Sequence, residues 1–321
     1  MLRSYCRTAT GKDKMNVILG DTSEFCMPVV VYETGDATPQ VGIRRGTEIV
    51  AVESLDSGEG LKGVSDCIPL IQTLESEAEA AIAEAGSSVD PHDLSAVTLH
   101  SPGDPSKIVR VEGSYAHDLT DEEYNPFIKP ESLHERDRPR LWVAPMSAMA
   151  KASDPLVVPT FANEVKPSVE LAVVVGSAGK NWSPEEATEA IAGCLVLADI
   201  GIYDSLPGQW GYKFFDSAMR FGTDLVSAGG LDLSSLELSL ELNGEVVDTK
   251  STDGWRFTPG EMVSTVSEIM SLQPGDIITT GNPMRVDGTI DAGDELRATV
   301  EDVDTVVSSI RREETDSEVL I

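Results

Sequence analysis

The stretch 166–176, KPSVELAVVVG, restricts the possible folds of this chain more than any other. Val169, Leu171, Ala172, Val173, Val174 and Val175 make a nearly unbroken apolar, largely β-branched run, which predicts a buried strand. Inside it stands one carboxylate, Glu170. Two arrangements accommodate a charge there. Either the strand is an edge with Glu170 facing water, or a cation sits above it, because a buried carboxylate needs a partner or a metal.

The flanking sequence is rich in strand signals. MPVVVYET and VGIRRGTEIVAVES read as short strands separated by turns, and SDCIPLIQTLESEAEAAIAEAG follows with helical spacing and a glycine stop. With the loop-rich segment up to residue 100, these suggest a small N-terminal α+β domain over 1–100. After it come the strands KIVRVEG, LWVAPM, PLVVPT, VELAVVVG, LDLSSLELSLELNGEVVDT, DIITTG and DELRATVEDVDTVVSSI. Two helices interrupt them. SPEEATEAIAGCLVLAD starts with Ser183 as N-cap, Pro184 in the first turn and Glu186 at the capping-box position. TPGEMVSTVSEIMSL ends before a QPGD turn. Many strands and few helices predict a β-rich α+β protein, its 101–310 region a rolled sheet or sandwich with peripheral helices. Residues 311–321 read as a mobile acidic tail, and the first fourteen as a frayed leader with Met15 as an alternative start.

Charge narrows the function classes. Against 24 Lys and Arg stand 55 Asp and Glu, a net charge of −31. Nucleic acid is therefore not an expected partner, since phosphate binding needs clustered basic residues. An evenly spread acidic surface fits a protein working in high salt, where ions screen its self-repulsion. No run of eighteen apolar residues suggests a membrane span. The opening residues lack the apolar stretch of a signal peptide. Four scattered cysteines, Cys6, Cys26, Cys67 and Cys194, make neither a disulfide framework nor a zinc site, and the cytoplasm is the simplest compartment.

Seven blocks then line up in order: SKIVRVEGSYAHD, PLVVPT, SVELAVVVG, LADIGIYD, GYKFFDSAMRFGTDLV, LNGEVV and LQPGDIITTGNP. In that order and at those spacings the chain resembles the fumarylacetoacetate hydrolase family over about residues 105–302. The resemblance implies a rolled, mixed-sheet catalytic domain behind a smaller N-terminal one, usually dimeric, so a homodimer is expected. It implies an enzyme acting on a small 2-oxo or β-diketo acid, as hydrolase, hydratase, dehydratase or isomerase, through an enolate held by Mg²⁺ (or Mn²⁺).

Carried over position by position, the family's Glu-x-Glu and following Asp fall on Ser168, Glu170 and Asp199, so one charged ligand is replaced by a hydroxyl. Residues two apart on a strand project from the same face, which explains that spacing. His117, in GSYAHD, matches the catalytic His, the natural general base near neutral pH. The Glu that orients it falls on Thr120, with Asp121 beside it. Lys213 matches a lysine that holds a substrate carboxylate or a developing enolate oxygen, and Tyr115, Asp204 and Asn282 match substrate-binding positions. Ser114, Tyr203 and Ala144 stand where the family has other polar residues. The alternative is a member that has kept the fold and lost turnover, binding an acid ligand or a partner.

Overall fold

A computed structural model describes residues 27–35, 38–83, 89–102, 105–115, 138–204, 213–284 and 286–314. Its first sheet is antiparallel and built from β1 (Val29–Glu33), β2 (Gln40–Arg45), β3 (Glu48–Ala51), β4 (His92–Asp93) and β5 (Thr98–His100), in the order β4-β3-β2-β1-β5. The helix Ile71–Ala83 lays Leu74 and Ala78 into the same buried cluster as Ile43 and Val50 of that sheet.

The central sheet joins β6 (Ile108–Glu112), β7 (Arg140–Ala144), β9 (Val165–Val175), β10 (Ile191–Ile202), β11 (Met219–Phe221) and β15 (Ile277–Thr279), in the order β11-β10-β9-β15-β6-β7, with β12 (Val226–Ser227) also on β10. The third sheet runs β14-β13-β16-β17-β8, from β8 (Leu156–Val158), β13 (Glu237–Leu242), β14 (Glu245–Ser251), β16 (Glu295–Val300) and β17 (Asp304–Arg312). It curls against the central sheet, giving the strand-rich, rolled architecture that the sequence predicts.

The two faces of β9 and β10 explain their apolar sequences. On one face Val169, Leu171, Val173 and Val175 join Val196, Ala198, Ile200 and Ile202 in a core completed by Leu238, Leu240, Leu296 and Ala298 of the third sheet. On the other, Ala172, Val174, Leu195 and Leu197 pack with Val29, Ile43, Val50, Ile68 and Leu74 of the N-terminal region. A strand covered on both faces reads as a continuous apolar run. The edge-strand reading of Glu170 is therefore ruled out: β9 lies between β10 and β15, and Glu170 is 2% exposed.

Two sequence readings need correction. The helix that starts at Ser183 ends at Glu189, and AIAGCLVLAD continues as β10. The Ser183 cap and its Glu186 partner form as expected. From Ile191 onward, however, antiparallel pairing with β9 over almost its whole length outweighs a helical spacing of apolar residues. Likewise Arg311 and Arg312, read as the start of the tail, close β17 and pair in parallel with Val157 and Val158.

Candidate active site

The second face of the central sheet turns polar at one end. Ser168 and Glu170 continue the side of β9 that carries Ala172 and Val174. Asp199 stands directly opposite Ser168 in the β9–β10 register, and Leu197 opposite Glu170. β15 stops at Thr279, the partner of Ala172, so toward Glu170 no strand separates β9 from β6. A long side chain from β6 crosses that gap. Arg110, one residue beyond Val109, follows the Ile108 face and donates from Nη2 to both Glu170 Oε1 and Asp199 Oδ2.

A second cation closes the cluster. Lys213 Nζ lies 2.9 and 2.8 Å from the two oxygens of Asp199, 3.3 Å from Glu170 Oε1 and 3.2 Å from Ser168 Oγ. Ser168 Oγ donates to Asp199 Oδ1. All four charges are buried, with Arg110 2%, Glu170 2%, Asp199 0% and Lys213 4% exposed. Burial alone would raise the Asp199 carboxyl, but the Arg110 guanidinium and the Lys213 ammonium beside it, aided by the Lys213 and Ser168 hydrogen bonds, hold it below its ordinary value.

The Arg110 guanidinium has a fitted seat. It lies 5.1 Å from the centre of the Trp142 ring, and its Nη1 reaches Met219 Sδ at 3.8 Å. Trp142 is in turn held edge-on by Phe214, ring centres 4.5 Å apart. Two anions thus meet two cations, and three of the four carboxylate oxygens already accept from them. Only Glu170 Oε2 has no hydrogen-bond partner among the described residues. Arranged in this way, the donors do not fit a divalent ion, which needs carboxylate lone pairs that Arg110 and Lys213 are using. Among the described residues no three His, Cys, Asp or Glu side chains group as metal ligands.

The model of the family "Fumarylacetoacetate (FAA) hydrolase C-terminal" matches residues 107–312. The chain belongs to the fumarylacetoacetate hydrolase family of enzymes. Among curated members of that family or its relatives, an uncharacterized protein of Pyrococcus abyssi is 32% identical over 65% of this chain and 92% of its own. The oxaloacetate tautomerase FAHD2A, mitochondrial, of Bos taurus is 31% identical over 51% of this chain and 56% of its own, so the match spans about half of that relative. Among solved structures, maleylpyruvate hydrolase from Sphingobium sp. SYK-6, in complex with manganese (II) ion and pyruvate, superposes with a TM-score of 0.71 at 23% identity, covering 90% of this chain and all of that one. At that identity the likeness speaks for the fold alone.

On this fumarylacetoacetate hydrolase scaffold, the structure brings Ser168, Glu170, Asp199 and Lys213 together. Tyr115 is buried against Trp255, ring centres 6.3 Å apart. Asn282 follows Gly281, whose φ of +88° and approach to Ser114 Oγ leave no room for a side chain. The Asn282 Oδ1 accepts the Met284 N–H at 2.8 Å, a local turn bond. Asp204 is exposed and accepts the Asn163 N–H at 3.2 Å. Ala144 is buried beneath the site-facing side of the sheet. His117 and Asp121 lie outside the described residues.

Sequence reasoning missed Arg110. Its signal was present, because IVRVE places one charge inside an apolar strand as VELAVVV does with Glu170. Two buried charges of opposite sign, each flanked by apolar residues in its strand, are candidates for each other.

Proposed function

We propose that this chain is an enzyme acting on a small 2-oxo or β-diketo acid through an enolate, as a hydrolase, hydratase or dehydratase, or isomerase. The observation that carries the reading is the buried Lys213 ammonium, clustered with Glu170 and Asp199 at the polar end of a central sheet of this family's fold. Lys213 would hold a substrate carboxylate or a developing enolate oxygen, and a fixed ammonium in a desolvated site stabilises negative charge as it forms. Asp199 and Ser168 would keep the lysine in place. Glu170 Oε2 is the carboxylate oxygen left to accept a hydrogen bond from a ligand. His117 would take the α-proton, with Asp121 orienting the ring, and Tyr115, Asp204 and Asn282 would shape the pocket.

Oxaloacetate tautomerisation, the activity named for the Bos taurus relative, involves an enolisable 2-oxo acid, which supports this substrate class. Manganese belongs to the Sphingobium protein; the proposed route runs through side chains alone. We further propose that the enzyme works as a homodimer in a salt-rich cytoplasm. No helix among the described residues is long and apolar enough to cross a membrane.

A second reading has its own observation. The charges satisfy one another so fully that the cluster could serve the fold, leaving an acid-binding protein without turnover. A screen of 2-oxo and acylpyruvate-type acids in high KCl, following loss of enol or diketone absorbance, separates the two. Turnover of any of them above the buffer rate supports the enzyme. Saturable binding with no turnover across the screen supports the second reading.

A further inference from the structure

We infer that Arg110 is the resident cation of this site: its guanidinium takes the place between Glu170 and Asp199 that a divalent ion would have to occupy, and the chain binds no such ion there. This inference does not depend on the proposed turnover.

Three observations carry it. First, the position is filled on purpose-built terms. One Nη2 serves both carboxylates, the ring of Trp142 supports the guanidinium face, and Met219 Sδ receives Nη1. An arginine that is 2% exposed and contacted on its face and edge cannot yield its place without leaving a buried charge unpaired or rebuilding the seat. Second, among the described residues the charges balance without an ion. Glu170 and Asp199 contribute two negative charges, Arg110 and Lys213 two positive ones. Adding a divalent cation would leave a dry cluster with an excess of two positive charges, which burial penalises heavily. Third, Ser168 acts as a donor. It faces Asp199 across the β9–β10 pair and gives its proton to Oδ1, so it supports the carboxylate rather than adding a further anionic ligand.

Ser168 and Arg110 belong together. A carboxylate at position 168 would give the end of the sheet three anions, the number a divalent ion with water ligands can balance alongside Lys213 only when Arg110 is absent. Serine at 168 and arginine at 110 make the same electrostatic solution with one covalently attached cation. A guanidinium also differs functionally from an ion. It presents N–H donors in a fixed plane and does not chelate, so a ligand is met by hydrogen bonds and charge, with Lys213 as the second cationic contact.

The test is a Mn²⁺ titration of the chelator-stripped full chain at one fixed KCl concentration, read both by the electron paramagnetic resonance signal of free Mn²⁺ and by calorimetry. The wild type is expected to leave Mn²⁺ free, and Arg110→Ala combined with Ser168→Glu is expected to bind about one equivalent at least ~10-fold more tightly than the wild type. Circular dichroism melts establish that the variants are folded, and Arg110→Gln with Ser168→Glu replaces the alanine variant if that one is not. Stoichiometric Mn²⁺ binding by the wild type, little changed by Arg110→Ala, overturns the inference. So does a folded double variant that gains no binding, because Arg110 would then not be what excludes the ion. Neither readout uses substrate, so absence of turnover leaves the result interpretable.

Discussion

Replacing Arg110 with alanine should be among the most damaging single changes in the protein, and in a pH-dependent way. The substitution leaves Glu170 and Asp199, both almost fully buried, with the Lys213 ammonium as their one cationic partner among the described residues. Removing one partner of a buried ion pair costs about 3–5 kcal/mol. Loss of the contact with the Trp142 face adds about 0.5–2 kcal/mol. A large share of typical domain stability is therefore at stake. In the wild type Asp199 is held below its ordinary value, so its contribution is complete above about pH 4 and is lost only as pH falls through the lower folded value. Between pH 5 and 7 Asp199 thus adds no slope to wild-type stability. In the variant two carboxylates share one cation, and one of them is pushed upward. The folded variant then binds a proton more readily than the unfolded chain, so its stability rises as pH falls from 7 toward 5. Urea unfolding followed by tryptophan fluorescence and far-ultraviolet circular dichroism, at pH 5 and pH 7, measures both effects. The gap between variant and wild type should be several kcal/mol at pH 7 and smaller at pH 5. A gap under about 1 kcal/mol, or one of equal size at both pH values, would show that Arg110 is not the counter-charge on which the two buried carboxylates depend. Arg110→Lys should lose less than the alanine variant, since the charge remains while the guanidinium plane does not.

Three other expectations follow from other parts of the molecule. With a net charge of −31, thermal stability should rise from low to multimolar KCl, and a melting temperature unchanged across that range would contradict the salt-adapted reading. Burial, then the neighbouring Asp224 charge, pushes the Asp304 carboxyl up to about 7, so the wild type should lose stability as pH rises from about 4 to 7; Asp304→Asn, which can still accept the Thr223 and Asp224 N–H groups, should flatten that slope and gain about 1–2 kcal/mol at pH 8, and an unaltered slope would count against it. His117→Ala should lower kcat about 10²-fold or more with the melting temperature unchanged, whereas matched losses of activity and stability would mark His117 as structural.

The fold was legible where local pattern and tertiary role agree. VELAVVVG is apolar because sheets and helices cover β9 on both faces, and period-two patterning around Glu170 and Ser168 correctly placed them on one face. The segment after Glu189 was misread because Ile191, Cys194, Leu195 and Ala198 also satisfy helical spacing, and only the partner strand β9 decides between the two periods. The carboxylates and Lys213 were legible as a group through the ordered blocks. Arg110 was not, because its meaning depends on strand order: β6 comes within reach of β9 only because β15 lies between them and ends early. Its partner Glu170 lies 60 residues away in sequence, and no local signal spans that separation.

The occupant of the position between Glu170 and Asp199 is read most directly from a crystal structure of the protein grown or soaked with excess MnCl₂ and pyruvate, with anomalous differences recorded near the manganese edge. The Arg110 guanidinium is expected between Glu170 and Asp199, stacked on Trp142, with no manganese peak there and any pyruvate carboxylate within reach of Lys213. A manganese peak bridging Glu170 and Asp199, with Arg110 turned away from both, would contradict it.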